Sequence, residues 1–362
     1  MKRFSGRLAV QQRVLPNYRA PFFDLLASAC EGGMSLFSGL PRRSEGIKTT
    51  SQLQVANYYP GQNLHFLHGS LYLCYQRGLL RWLESWDPDA LIVEANPRYL
   101  STASAVRWMH ERERPVIGWG LGAPSVSGIR KQRRSSFIRQ FDAMISYSQR
   151  GADEYAALGF PREKIFIAHN SVAAPPTFPL PFRPLTLDRK TNVLFVGRLQ
   201  FRKRIADLLL ACSQIEPQPR LVIVGDGPER KDLELFAQKV FPSAEFVGAK
   251  HGAELKTYFV EADLFVLPGT GGLAIQEAMS YGLPVIVAQG DGTQDDLVRQ
   301  ENGWQIPPAN VHELIRVMKD ALSDVARLRK MGEESYRIVK EEINSEKMVE
   351  TFVTVLNQLR DK

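Results

Sequence analysis

Short apolar runs, each followed by a longer amphipathic stretch, recur along this chain on both sides of a proline-rich tract. Downstream they are NVLFV (192–196), RLVIV (220–224), AEFV (244–247), DLFVL (263–267) and PVIVA (284–288). Upstream they are RLAVQQRVL (7–15), DALIVEA (89–95), PVIGWG (115–120), DAMISYS (142–148) and KIFIAH (164–169). Runs this short read as buried strands, whereas Ile205, Leu208, Leu209 and Cys212 have helical spacing. Strands that alternate with helices form parallel sheets, because each crossover carries the chain back to the same end. The tract VAAPPTFPLPFRPL (172–185) has neither period, and its prolines fix φ, so it reads as a semi-rigid linker. The expected architecture is therefore α/β, with two Rossmann-like, doubly wound parallel-sheet domains facing each other across a cleft. Residues 1–172 form the first, 173–187 the linker and 188–344 the second. Residues 345–362 form a closing helix, with Met348, Phe352, Val355 and Leu359 on one face. In such sheets ligands sit beyond the carboxyl ends of the strands, and function is sought there.

Charge and composition narrow the classes. The net charge is +7, with 46 Lys+Arg against 39 Asp+Glu. Residues 1–170 hold 22 Lys+Arg against 13 Asp+Glu, leaving 24 against 26 for the rest, so the first half carries the excess and should meet something anionic. No run of about 18 uncharged apolar residues reads as a membrane span. MKRFSGRLAV has no apolar h-region, so no signal peptide is expected. Cys30, Cys74 and Cys212 lack paired spacing and read as reduced thiols of a cytoplasmic protein. The six histidines lack metal-ligand spacing, and no Ser-His-Asp or GxSxG context suggests a hydrolase. No metal site is expected.

Two clusters carry the chemistry. In FVGRLQFRKR (195–204) a strand ends at Gly197, and Arg198 and Lys203 follow where two cations can neutralise a diphosphate; the alternative is a solvated basic turn. In VLPGTGGLAIQEAMSYGLPVIV (266–287), Gly269, Gly271 and Gly272 leave amides bare at a helix start, where an anion is favoured. Glu277, in the helix that follows, can accept hydrogen bonds from the vicinal diol of a ribose. A tight turn with a surface glutamate is the other reading. VGDGP (224–228) and FVGAKHGAEL (246–255) are further strand-to-helix loops at the same edge, with Gly248 and Lys250 bordering a base pocket.

GRLxxxK (197–203), VGDGP, ADLFVLP (262–268), EAMSYGLPVIV (277–287) and ENGW (301–304), in this order and spacing, resemble the nucleotide-binding half of retaining glycosyltransferases of the GT-B, family-4 type. The resemblance covers residues 160–325, and AALGFPREKIFIAHNSV (156–172) resembles that family's lead-in to its linker. It implies that Arg198 and Lys203 act on the diphosphate, that the amides of Gly271, Gly272 and Leu273 touch phosphate and sugar, and that Glu277 holds the ribose. The family usually has two glutamates with seven residues between them; the first falls at Gly269, and its absence bears on the donor sugar. Arg204 also stands where glycine is commoner.

The first half resembles the family more loosely. VLPNYRAPFFDLLA (14–27) resembles the opening loop of bacterial polysaccharide-type members and puts Tyr18 and Arg19 in the cleft. VEANPRYLS (93–101) and GWGLGAP (118–124) follow strands, making Glu94, Asn96, Arg98 and Trp119 acceptor or cleft candidates. For Arg98 and Trp119 a turn cap and a core filler are equal alternatives. In IRKQRRSSFIRQF (129–141), Arg130, Lys131, Arg133 and Arg134 accompany Ile129, Phe137, Ile138 and Phe141, a pattern suited to an anionic membrane surface. No nucleic-acid motif accompanies the charge.

The resemblance implies a metal-independent, retaining hexosyltransferase that uses a UDP- or GDP-sugar as co-substrate, with no other cofactor. Its acceptor would be a glycan or lipid-linked hydroxyl in polysaccharide synthesis, and the enzyme would be cytoplasmic, peripheral on the inner membrane face. A non-catalytic nucleotide-binding subunit and a nucleotide-sugar epimerase are the rivals.

Overall fold

A computed structural model describes residues 2–123 and 127–360. The chain divides into two compact units, residues 1–172 with 345–362, and residues 173–344.

In the first unit the strands are β1 (Leu8–Val14), β2 (Met34–Gly39), β3 (Asn57–Pro60), β4 (Gln62–Phe66), β5 (Leu73–Arg77), β6 (Ala90–Glu94), β7 (Val116–Gly120), β8 (Ala143–Ser146) and β9 (Ile165–Ile167). Seven of them form one sheet in the order β3-β2-β1-β6-β7-β8-β9, all pairs parallel. The remaining two, β4 and β5, form an antiparallel hairpin outside it. In the second unit β10 (Asn192–Val196), β11 (Arg220–Val224), β12 (Glu245–Gly248), β13 (Leu264–Leu267), β14 (Val285–Ala288) and β15 (Gly303–Ile306) pair in parallel in the order β12-β11-β10-β13-β14-β15. Strand order reverses between β1 and β6 in one sheet and between β10 and β13 in the other, and the crevice at such a reversal is where a doubly wound sheet takes its ligand.

The central strands are apolar on both faces, as helices on both sides demand. Val193, Phe195, Leu221, Ile223, Phe265 and Ile286 are fully buried in the second core, and Leu8, Val10, Ile92, Ile117 and Ile145 in the first. The proline tract belongs to the second unit. The Arg183 guanidinium donates to the carbonyls of Phe259, Ala262 and Tyr281, and Arg329 donates to that of Pro184, so the tract is fastened along its length. The helix Ser345–Arg360 returns to the first unit, where Phe352 packs against Phe22 and Trp119 with ring centroids 5.4 and 5.0 Å apart.

The structure bears on two sequence expectations here. Trp119 fills core: it is 2% exposed and packed among Phe22, Phe23, Tyr147 and Phe352. The basic helix Gly128–Ile138 keeps Arg130, Lys131 and Arg133 exposed. Its apolar partners point inward, however: Ile138 and Phe141 are buried and Phe137 packs on the core, which leaves Ile129 alone on the surface and removes the stripe a membrane would need. Finally, Pro124 of the GWGLGAP segment lies outside the described residues.

Candidate functional site

The loops leaving β10 and β13 meet at the strand-order reversal of the second unit. Gly197 closes β10 and its amide bonds the Val224 carbonyl at 3.0 Å, while Leu199 donates to Asp226 at 2.9 Å. This lacing brings the VGDGP loop against the first, and a Cβ at Gly225 would stand 1.9 Å from the Gly197 carbonyl oxygen, so no side chain fits. Gly248 ends β12 and its carbonyl accepts from the Gly225 amide at 2.8 Å. Lys250, two residues on, pairs with Glu254 at 3.6 Å.

Lys203 links the two loops. Although a lysine, it is 6% exposed, and its Nζ donates to the carbonyl of Thr270 at 2.7 Å and to that of Gly271. Burial, with Arg202 nearby, pushes its ammonium down to about 8. The Thr270 amide in turn donates to the Arg202 carbonyl at 2.9 Å. In a trans peptide the N–H points opposite to the C=O. Lys203 therefore turns the amides of Gly271 and Gly272 away from itself, and no described residue accepts from them or from the Leu273 amide. Three bare donors precede the helix Ala274–Ser280, whose positive dipole end adds to their pull on an anion.

Arg198 is exposed and ion-pairs with no described residue, so it is a cation of this site that faces solvent. Glu277 lies in the first turn of the helix, half-buried; its carboxylate takes no hydrogen bond from a described residue, and burial raises its pKa. At Gly269, where the family resemblance places a glutamate, the backbone leaves no room for a side chain. A Cβ there would lie 2.2 Å from the Arg202 carbonyl oxygen and 2.5 Å from the Lys203 carbonyl carbon.

The first unit has its own pocket at the carboxyl edge of its sheet, a cavity of about 410 Å³ beyond β6 and β7. Glu94, Asn96, Arg98 and Trp119 line it, together with Tyr99, Arg134, Tyr147 and Tyr155. Glu94 accepts from the Arg13 amide at 2.8 Å. Burial pushes its carboxyl up to about 7, against the pull of that bond and of the Arg13 and Arg19 charges. Asn96 accepts from the Arg98 amide at 3.1 Å, which makes the turn. Tyr18 is exposed on the turn after β1. Arg19 lies beneath the pocket rather than in its wall, 5.5 and 5.3 Å from the ring centres of Trp119 and Tyr147, and donates to Asn170 at 2.6 Å. Its Nη1 is buried without a partner. Sequence reasoning missed Tyr147, one residue past β8, although that position follows the same carboxyl-edge rule. It also missed the bonds of Lys203 to the glycine turn, since nothing in spacing says where a flexible amine ends.

No cluster of three His, Cys, Asp or Glu side chains among the described residues is arranged to hold a metal ion. No helix among them is long and apolar enough to cross a membrane.

Comparisons with known proteins agree with this architecture. Residues 180–338 match the family described as "Glycosyl transferases group 1". Sulfoquinovosyl transferase SQD2 of Arabidopsis thaliana is 34% identical over 143 residues, covering 37% of this chain and 27% of that protein. A GDP-mannose-dependent alpha-mannosyltransferase of Corynebacterium glutamicum is 36% identical over 155 residues, covering 42% of this chain and 36% of that protein. The chain thus spans about a third of the length of these relatives. Among solved structures, the apo form of the lipopolysaccharide outer core galactosyltransferase WaaB superposes with a TM-score of 0.70 at 16% identity, over 97% of this chain and 99% of that one. Anabaena Alr3699/HepE, solved in complex with UDP, gives 0.72 at 16% identity, over 99% and 100%. Residues 180–338 are therefore similar to the group 1 glycosyltransferases, in a chain whose two units have the fold of the GT-B glycosyltransferases.

Proposed function

We propose that the chain transfers a hexose from a UDP- or GDP-sugar to an acceptor hydroxyl, with retention and without a metal, in polysaccharide or lipid-linked glycan synthesis at the cytoplasmic membrane face. The observation that carries this reading is the set of bare amides at Gly271, Gly272 and Leu273, the first two oriented by Lys203. Fixed donors aimed at a developing charge stabilise a transition state without reorganising, and the charge here is that of the departing diphosphate. Arg198 adds a bidentate cation, and Glu277 accepts from the ribose hydroxyls. Lys203 acts first through the loop it orients and second as a positive charge behind it. On the acceptor side, Glu94 and Asn96 hold and orient a hydroxyl, with Glu94 titrating close enough to neutrality to accept its proton. Support for the nucleotide comes from a relative that is GDP-mannose-dependent and a neighbour of the same fold that was solved with UDP.

Titration calorimetry of the whole chain with UDP, GDP, dTDP and ADP tests the donor side. Binding of UDP or GDP that weakens at least tenfold in Glu277→Ala is the expected result. Equal binding by the variant removes Glu277 from the site, and no binding of any nucleotide overturns the transferase reading. Turnover unchanged by a chelator is the expected result for the metal-independent step.

A further inference from the structure

The hairpin β4-β5 ends in a tip that is apolar where a soluble protein is ordinarily polar. All six residues from Phe66 to Leu71 are exposed, and three are large hydrophobics: Phe66 at 46%, Leu67 at 55% and Leu71 at 69%. Leu40 joins them at 67% exposure, held beside the hairpin because its carbonyl accepts from Asn63 at 2.9 Å. The tip is built to keep this shape. Arg42 lies 4.3 Å from the Tyr72 ring centre and donates to the Leu67 carbonyl at 2.7 Å, and the Tyr72 hydroxyl bonds His65 at 2.9 Å. The loop is thus a preorganised wedge fastened by Arg42, and Arg43 and Lys48 are exposed close to Arg42 in sequence.

We infer that this tip enters the headgroup region of an anionic phospholipid surface, with Phe66, Leu67 and Leu71 among the acyl chains and Arg42 and Arg43 against the phosphates. Charge complementarity selects this occupant over a second copy of the chain. Residues 40–50, bonded to the tip through Arg42, carry three Lys+Arg against one Asp+Glu, so two such segments repel one another while an anionic surface attracts either. Apolar insertion and cationic attraction add in lipid binding, and neither suffices alone for stable docking. The inference deepens the peripheral-membrane part of the function proposed above, but is read without donor or acceptor, so the two can fail separately.

The test is cosedimentation of the full chain with phosphatidylcholine vesicles, with and without phosphatidylglycerol. Binding is expected only to the anionic vesicles, and it should fall about tenfold in Phe66→Ser/Leu67→Ser/Leu71→Ser, which removes exposed side chains and leaves the melting temperature in place. An environment-sensitive dye on Leu71→Cys reports insertion directly, because Cys30, Cys74 and Cys212 are buried. A blue shift on anionic vesicles alone supports the inference. Wild-type binding by the triple variant, no binding by the parent chain, or self-association that the triple variant abolishes would each overturn it.

Discussion

Burial holds the Lys203 ammonium at about 8, against 10.5 for an ordinary lysine. Between these values the unfolded chain binds the proton more readily than the folded one, so this group's contribution to stability rises as pH climbs through that window. A bound diphosphate acts the other way, favouring the charged amine. Nucleoside diphosphate affinity should therefore fall as pH rises through about 8, with proton uptake on binding. Calorimetry in buffers of different ionisation enthalpy reads that uptake, and Lys203→Met should lose it; a flat profile in the parent chain would show that Lys203 does not sense the ligand. Gly269 permits a sharper test. Gly269→Glu restores the carboxylate that the family resemblance leads one to expect, yet a Cβ there meets the Arg202 carbonyl oxygen at 2.2 Å. Overpacking of this kind costs about 1–3 kcal/mol, so the variant should melt earlier and bind nucleotide more weakly, whereas higher turnover would mean that the loop yields easily.

At the scale of elements, legibility followed burial pattern. The runs at 192–196 and 264–267 are nearly all branched or aromatic, and the strands stand there as read. Strand β2 is equally buried but spelled MSLFSG, and its serines and glycine mute the apolar signal. Strand β3 escaped because it is a half-exposed edge ending in Pro60, a residue tolerated only where no further ladder bond is needed. The helix Gly128–Ile138 shows the opposite failure. Its basic and apolar residues alternate as on a membrane-surface helix, and the sequence cannot say whether the apolar side meets lipid or the protein's own core. The structure packs Ile138 and Phe137 into that core. Ile138→Ala should accordingly cost about 2–5 kcal/mol in urea denaturation while leaving vesicle binding unchanged. The reverse pattern, lost vesicle binding at full stability, would return this helix to the membrane.

The whole chain folds as two units with separate cores, and the first break between them falls at Val172, where the proline-rich tract interrupts the regular periodicity. What periodicity could not assign was the last helix, amphipathic and able to pack on either unit. Aromatic complementarity decides it: Phe352 fits edge-on against Trp119 and Phe22, and Asn357 donates to the Arg3 carbonyl at 3.1 Å, joining the two ends of the chain within one unit. The first unit is therefore discontinuous in sequence and depends on residues about 170 positions beyond its main body. Phe352→Ala opens a cavity beside Trp119 and should cost about 3–5 kcal/mol. Hydrogen exchange locates that cost. Amides of β1, β6 and β7 should exchange faster, while those of β10, β11 and β13 keep their protection, because no Phe352 contact reaches their core. Equal loss of protection in both sets would mean that the units open as one cooperative body, and the helix would then stabilise the donor loops as much as the pocket at Glu94.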